Sequence, residues 1–304
     1  MNLGEYLVDE AMRIPDLVRG VSIGGVPEAL LRGKGYAFGA GDSFVVAQVM
    51  QLLTSHRIVA VDPYEVQVIP PETADVCVGI SVKGRTKEVV KALNALKQLG
   101  CLTVAVTHEP SSPVGVEPDA VLGIPYGGGK FPVGIGNFAS AVAIVAAALG
   151  HTINASAVTS DEGVSHELKG FLGGDAVLVG TGWGRLAAEF LSLKLAEVFC
   201  TPARVYHSEQ FLHAPIYALR EGSSTIIIGD DRRSVNAYAV LKEAGVNAYH
   251  LKTPQSLEGM LTAIASGVMA IGKLAIDEGR KEPCFMVRKG FLEASTPMIY
   301  GGST

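Results

Sequence analysis

Residues 75–99 read DVCVGISVKGRTKEVVKALNALKQL, and this stretch decides the fold class. An apolar run of strand length, residues 75–81, leads through a Lys-Gly-Arg turn into a helical pattern over residues 86–99. A second apolar run follows at 102–107. Because a helix between two short apolar strands is the connection that parallel strands require, the stretch predicts a βαβ unit of a parallel sheet.

The same alternation runs along the whole chain in two rounds. Strands are predicted at 36–39, 57–61, 75–81, 102–107 and 120–124, then at 176–179, 204–206, 225–229 and 247–251. Between and around them the main predicted helices cover 2–21, the segment up to Leu53, 86–99, 138–149, 162–172, 186–199, 236–244 and 257–276. The pattern therefore predicts an α/β protein with two tandem flavodoxin-like subdomains and an N-terminal helical extension. We place the subdomains at residues 1–155 and 156–304.

Composition excludes several classes of function. The chain has 304 residues, a formal net charge of −5 and 48% hydrophobic residues, so no basic surplus favours nucleic acid or an anionic membrane surface. The N-terminus lacks the basic start and apolar run of a signal peptide, and the apolar stretch at 131–150 is too interrupted to span a bilayer. We therefore expect neither a nucleic-acid partner nor a membrane partner.

The cysteines contain no CxxC pair. They stand far apart, at Cys77, Cys101, Cys200 and Cys284, so a zinc site is not expected. Cys77 lies in an apolar run and reads as a small core residue. These features together predict a reduced, cytoplasmic protein.

Two glycine-rich turns, at residues 39–43 and 180–182, follow predicted strands. Neither has the third glycine of a dinucleotide fingerprint, and no GxxxxGK[ST] motif is present. A nucleotide-dependent dehydrogenase is therefore a weak alternative.

The turn at residues 81–86 is better equipped for an anion. Ser81 and Thr86 supply hydroxyls, Lys83 and Arg85 supply charge, and the opening helix supplies backbone N–H groups. The turn therefore favours a phosphate site. The alternative is that Thr86 caps the helix while both cations are solvated.

These motifs together resemble the SIS (sugar isomerase) domain family. Residues 39–43 resemble its first GxGxS turn, and residues 81–86 resemble its phosphate loop, S-x-S-G-x-T. The stretch at 180–215, GTGWGRLAAEFLSLKLAEVFCTPARVYHSEQFLHAP, is similar to the isomerase domain of glucosamine-6-phosphate synthases, with its K-L-K-E helix and G-E-x-K-H-G-P segment. The glutaminase domain of those enzymes is not seen, so glutamine-dependent amination is not expected.

The resemblance implies phosphosugar isomerisation by proton transfer through an enediol(ate). Glu197 would be the base, Lys194 on the same helix face would stabilise charge, and His213 would open the sugar ring. The phosphate would bind at Ser81, Lys83, Gly84, Thr86 and Ser43, with weaker sugar contacts from Asn137 and Gln210. The resemblance also implies no metal or organic cofactor, and a homodimer in which His213 reaches the partner's site.

The chain departs from the family pattern at four places. The second serine of the phosphate loop is Lys83, and the acid before the histidine is Gln210 unless Glu209 replaces it. The glycine after the histidine is Ala214, and Ala294 falls at the family's C-terminal catalytic lysine, which Lys289 or Lys281 would have to replace.

Three functions follow from these observations. The first is a hexose 6-phosphate or amino-hexose 6-phosphate isomerase, and the second is an amino-sugar phosphate deaminase, which differs by releasing ammonia. The third is a non-catalytic phosphosugar sensor. From the residues alone, Lys194 and Glu197 would form an ordinary ion pair, and His213 would cap a turn. His207 is a weaker candidate than His213 for opening the sugar ring.

Overall fold

The structure is a computed structural model that describes residues 1–68, 74–220 and 222–301. Its described residues form two compact units. The first unit comprises residues 17–129, 136–153 and 289–301, and the second comprises residues 1–16, 130–135 and 154–288. The domain boundary that we placed after residue 155 stays a prediction.

The helices, in chain order, are α1 Leu3–Leu17, α2 Glu28–Arg32, α3 Asp42–Leu53, α4 Glu65–Val68, α5 Lys87–Gln98, α6 Pro113–Val116, α7 Gly136–Ala148, α8 Glu162–Lys169, α9 Trp183–Phe199, α10 Ser208–His213, α11 Arg232–Glu243, α12 Leu257–Asp277, α13 Cys284–Val287 and α14 Lys289–Tyr300. Short 3₁₀ helices cover Ala155–Ala157 and Pro215–Ala218.

The first unit is built on a five-stranded parallel sheet. Its strands are β1 Gly35–Phe38, β2 Ile58–Ala60, β3 Val76–Ile80, β4 Leu102–Thr107 and β5 Ala120–Gly123. They stand in the order β2-β1-β3-β4-β5, which is the flavodoxin-like order. Phe38, Cys77, Val89 and Leu93 lie in the core between this sheet and α5.

The second unit repeats the design with a four-stranded parallel sheet. Its strands are β6 Ala176–Gly180, β7 Ala203–His207, β8 Ser224–Ile228 and β9 Ala248–Leu251, in the order β7-β6-β8-β9. Val177, Phe211, Ile227 and Leu241 pack in its core. The predicted fold class, two flavodoxin-like subdomains with a helical N-terminus, is confirmed.

Helix α12 lies deep in the second unit. It is long and apolar enough to cross a membrane, but 78% of its most apolar window is buried inside the protein, as in the core helix of a globular domain. Helix α1 packs on it through glycine: a Cβ on Gly4 would lie 2.5 Å from the carbonyl oxygen of Gly272. The two backbones therefore approach each other directly.

Two disulfides correct the expectation of a reduced protein. Cys77 on β3 is bonded to Cys101, the residue before β4, and Cys200 at the end of α9 is bonded to Cys284 at the start of α13. Parallel pairing of β3 with β4 places the first pair of Cα atoms 6.1 Å apart despite a sequence separation of 24. Disulfides are typical of oxidising compartments and of hyperthermophile proteins, so the cytoplasmic location stays a prediction.

The ends of the chain also differ from the sequence patterns. The N-terminal helix was predicted to reach residue 21 with a break near Pro15, whereas α1 includes Pro15 and ends at Leu17. Residues after 277 show weak periodicity, yet they form α13 and α14. Helix α14 has no buried residue and packs against α5, which explains why its sequence lacks a strong apolar stripe.

Candidate functional site

The turn at residues 81–86 lies at the carboxyl end of β3 and opens α5. The hydroxyl oxygens of Ser81 and Thr86 lie 3.0 Å apart, and the backbone N–H of Gly84 donates to the carbonyl of Ser81 at 2.9 Å. Thr86 is the N-cap residue of α5, but its side chain makes no capping hydrogen bond. The predicted phosphate loop is therefore a closed turn that brings two hydroxyls together at a helix N-terminus.

Gly84 is required by the packing beneath this loop. Its φ is +63°, and an added Cβ would lie 1.6 Å from Oγ of Ser112. Among the described residues, that buried hydroxyl has no hydrogen-bond partner. The N–H of Val114 donates to the carbonyl of Gly84 at 3.0 Å, so the segment after β4 supports the loop from behind.

The loop's two cations share one carboxylate. Nζ of Lys83 lies 3.6 Å from one oxygen of Glu109, and a guanidinium nitrogen of Arg85 lies 3.7 Å from the other. The Lys83 and Arg85 side chains are 58% and 65% exposed. They are therefore near the solvent but already paired with an anion, and Glu109 is a residue that the sequence analysis missed.

Ser43 and Asn137 lie at other turns of the first unit. Ser43 is the second residue of α3, which follows β1. Because β1 pairs in parallel with β3, with Phe38 opposite Gly79, the Ser43 turn and the phosphate loop follow strands that end at the same edge of the sheet. Asn137 is the second residue of α7, where its side-chain oxygen accepts from the N–H of Phe138 at 2.9 Å.

In the second unit, Lys194 and Glu197 form a bidentate pair on α9. Nζ of Lys194 lies 3.0 and 2.9 Å from the two oxygens of Glu197, and 4.8 Å from the centre of the Phe190 ring. The Lys194 side chain is 1% exposed, whereas Glu197 is 30% exposed. A buried cation thus holds a carboxylate that reaches solvent, which is not the geometry of an ordinary surface ion pair.

His213 lies at the end of the short helix α10, whose Phe211 is anchored in the core. A ring nitrogen of His213 lies 3.1 Å from one oxygen of Glu209, and the other oxygen of Glu209 is paired with Arg233. Gln210 is exposed. The carboxylate beside the histidine is therefore Glu209, one position earlier than in the family pattern.

His207 and the tail lysines, Lys281 and Lys289, are the remaining candidates that the sequence offered. Partial burial lowers the pKa of His207 below its usual value, the Arg185 guanidinium lowers it further, and Glu189 opposes them. Lys281 and Lys289 are exposed, and Ala294 is exposed on α14. No described contact assigns either lysine to the site.

The second unit's glycine turn is filled by a side chain. Gln255 accepts from the backbone N–H of Trp183 at 3.2 Å and donates to Asp231 at 3.0 Å. Asp231 in turn accepts from the backbone N–H groups of Arg233 and Ser234 at 3.0 and 3.1 Å. The backbone N–H groups of Trp183, at the start of α9, and of Arg233 and Ser234, at the start of α11, therefore have their hydrogen-bond acceptors within the protein.

Comparison with known proteins finds one family model and several phosphosugar proteins to which this chain is similar. Residues 32–149 match the model of the SIS domain family. A segment of 108 residues is 37% identical to an N-acetylmuramic acid 6-phosphate etherase of Symbiobacterium thermophilum; it covers 36% of this chain and 29% of that relative. The match thus spans less than a third of the etherase.

Solved structures share the fold over most of the chain. A glucosamine-6-phosphate deaminase from Thermotoga maritima is 18% identical with a TM-score of 0.74, covering 90% of this chain and 94% of that one. A tagatose-6-phosphate ketose/aldose isomerase from Escherichia coli is 14% identical with a TM-score of 0.73 and the same coverage.

A third solved structure is the C-terminal domain of glucosamine-fructose-6-phosphate aminotransferase from Francisella tularensis, at 15% identity and a TM-score of 0.66, covering 90% of this chain and 96% of that one. At these identities the likeness concerns the fold alone. Residues 32–149 thus match the SIS domain family, and the predicted resemblance to that family is confirmed.

Proposed function

We propose that this protein is a phosphosugar aldose–ketose isomerase that acts on a hexose 6-phosphate or an amino-hexose 6-phosphate. The observation that carries the proposal is the Lys194–Glu197 pair, in which a buried ammonium holds both oxygens of a solvent-reaching carboxylate. Isomerisation moves one proton between two adjacent carbons, and a positioned carboxylate can take it from one carbon and return it to the other.

The roles of the pair follow from charge. Glu197 removes the proton next to the carbonyl, and the electrons move onto the carbonyl oxygen to give an enediol(ate). Lys194 supplies positive charge in a water-poor environment, where its electrostatic effect on a developing negative charge is stronger than in bulk water. Its contact with the Phe190 ring helps to hold the ammonium in place.

The phosphate group is assigned to the loop of the first unit. Ser81 and Thr86 offer hydroxyl donors, α5 offers its N-terminal backbone, and Lys83 and Arg85 offer charge. Ser43, at the same edge of the sheet, is a further donor.

His213 is proposed to open the sugar ring, which requires proton exchange near neutral pH. If its Nε2–H donates to Glu209, Nδ1 is left as the proton acceptor. We further propose that the protein is a homodimer in which His213 serves the partner's site, as the family resemblance implies.

The test is turnover by the purified chain on a panel of hexose 6-phosphates and glucosamine 6-phosphate, scoring ketose and ammonia separately. The variant Glu197→Gln keeps an acceptor for Lys194 but removes the base, so we expect a loss of at least about 100-fold, the usual size of a general-base effect. Glu243→Gln, an exposed glutamate on α11, is the matched control. Ketose formation that survives Glu197→Gln would overturn the role of Glu197.

Two outcomes would replace the isomerase with another function. Ammonia from glucosamine 6-phosphate would make the protein a deaminase, which the likeness to the Thermotoga maritima enzyme supports. Saturable phosphosugar binding without turnover would make it a sensor, which Ala294 at the family's lysine position supports.

A further inference from the structure

The carboxylate of Glu109 bridges the two cations of the phosphate loop. One oxygen faces Lys83 at 3.6 Å and the other faces Arg85 at 3.7 Å. Lys83 and Arg85 stand two residues apart, so their side chains converge on one point outside the loop. That point already accommodates an anionic group with two oxygens.

The backbone of Glu109 is tied down beside this point. Its N–H donates to the Thr107 hydroxyl at 3.2 Å, and its carbonyl accepts from the N–H of Ser112 at 2.9 Å. The Thr107 hydroxyl also donates to the carbonyl of Val82 at 3.2 Å, which links this turn to the loop itself. The Glu109 side chain can therefore swing away while its backbone stays within reach of the cations.

The contacts of Glu109 are weak enough to be replaced. Its side chain is 33% exposed, and the cations are more exposed still. Ion pairs of this kind contribute little to stability, because water screens them. A sugar phosphate carries up to two negative charges and three acceptor oxygens, so it competes for both cations with an advantage in charge.

We propose that Glu109 is a built-in competitor for the phosphate loop, which the phosphate of the ligand displaces. This inference rests on the proposed function of that loop. An anion that binds must break both Glu109 ion pairs, so the free energy of these pairs is subtracted from the binding free energy of every anion. Glu109 therefore keeps weakly bound anions off the loop and speeds release of the phosphorylated product.

The experiment measures binding of fructose 6-phosphate and of inorganic phosphate by calorimetry at low salt. Glu109→Gln keeps the size of the side chain and removes its charge, so we expect both probes to bind about 2- to 30-fold more tightly, the factor that two exposed ion pairs represent. Glu117→Gln, an exposed glutamate eight residues further along that has no ion pair with the loop, should bind like the wild type.

Two further readouts separate this role from a structural one. In a Lys83→Ala/Arg85→Ala background, Glu109→Gln should no longer tighten binding, because the charges that it competes for are absent. The gain in the single variant should also shrink towards 1 M salt, where the Debye length falls to about 3 Å.

The outcomes distinguish the inference from the function beneath it. If the wild type binds fructose 6-phosphate but Glu109→Gln binds it equally or less tightly, the competitor role is wrong and the phosphate loop stands. If neither protein binds any phosphate probe, the loop assignment fails and the inference fails with it. Tighter binding that persists without Lys83 and Arg85 would also overturn the inference.

Discussion

The loop after β3 and the loop after β8 occupy the same place in the two sheets, yet they treat a helix N-terminus in opposite ways. In the first unit, the N-cap Thr86 makes no side-chain capping bond, and its hydroxyl faces Ser81 instead. In the second unit, Asp231 caps α11 by accepting from the N–H groups of Arg233 and Ser234. The first loop leaves the start of its helix without a side-chain cap, and the second caps its helix with its own carboxylate.

The difference shows what makes a helix N-terminus useful for binding an anion. Topology places a turn and a helix start at the carboxyl edge of both sheets, as it does in all doubly wound folds. An internal carboxylate at that turn satisfies the donors and repels an external anion. The phosphate assignment therefore depends on side chains. The Gly84 and Thr86 variants below test it, each against a matched change in the second unit.

The largest expected effect is on the free energy of unfolding, and it concerns the two disulfides, one in each unit. The Cys200–Cys284 bond closes a separation of 84 residues, and the Cys77–Cys101 bond closes one of 24. Because the entropy of the unfolded chain falls more for a longer loop, Cys200→Ala should cost about 4.5 kcal/mol and Cys77→Ala about 3.5 kcal/mol. Denaturant unfolding with and without reductant measures both.

Reductant should erase most of the difference between these variants and the wild type. A wild-type stability that does not change with reductant would show that the bonds do not form in solution.

The next effect is the loss of loop shape in Gly84→Ala. The residue has a φ of +63° and no room for a Cβ against Ser112, so strain of about 1–3 kcal/mol must be relieved by moving the loop. We expect fructose 6-phosphate to bind about 100-fold more weakly, which corresponds to about 2.7 kcal/mol.

Gly229→Ala is the matched change after β8, at a φ of +119°. There the added Cβ meets the end of the Gln255 side chain at 2.7 Å. It should lower the unfolding midpoint but leave ligand affinity unchanged. Equal effects of both variants on affinity would remove the distinction between the loops.

A smaller effect is expected for one hydroxyl. Thr86→Val keeps the shape of the side chain but removes a donor to the phosphate, and a hydrogen bond to a charged group contributes about 1.5–3 kcal/mol, so binding should weaken at least about tenfold. Ser234→Ala removes the hydroxyl that donates to Asp231 at 2.6 Å and should leave affinity as it is. Calorimetry on both variants measures the affinity for fructose 6-phosphate. An unchanged affinity in Thr86→Val would place the phosphate elsewhere.

The smallest effect is a pH dependence at the edge of the first sheet. Hydrogen bonds from the backbone N–H of Thr103, from Lys97 and from the Thr103 hydroxyl lower the pKa of Asp119 to about 2. A lowered pKa in the folded state stabilises the protein above about pH 4, and this contribution is lost as the pH falls towards 2.

Because Asp119 is 39% exposed, the loss should be only of the order of 1 kcal/mol after screening. Melting curves at pH 7 and pH 3 measure it. Asp119→Asn should be less stable at pH 7 and should show a shallower drop in acid. An equally steep drop in the variant would assign the acid sensitivity to other groups.

Local patterns predicted the elements and the local pairs well. Strand β3, the turn and α5 are contiguous, so one stretch of sequence predicts all three. Lys194 and Glu197 are three residues apart on one helix, and their contact follows from helix geometry. The elements that carry both candidate groups could therefore be predicted from the sequence.

Contacts between distant residues were missed. Glu109 reaches the loop only because β4 pairs with β3 in a register that sets Ile80 beside Val106. Gln255 stands 72 residues from Trp183, to which it is bonded. The cysteine pairs likewise depend on which strands and helices become neighbours, and residue spacing alone does not specify this.

The contact between α1 and α12 has a consequence for synthesis. Gly4 meets Gly272, so α1 packs against a residue that is synthesised 268 positions later. At about 5–20 residues per second, the apolar face of α1 waits for roughly 13 to 55 s before its partner has been made. During that interval Leu3, Leu7 and Ile14, which are fully buried in the finished protein, have no final surface to cover them. We therefore expect the newly made chain to depend on chaperones more than its two compact units alone would suggest.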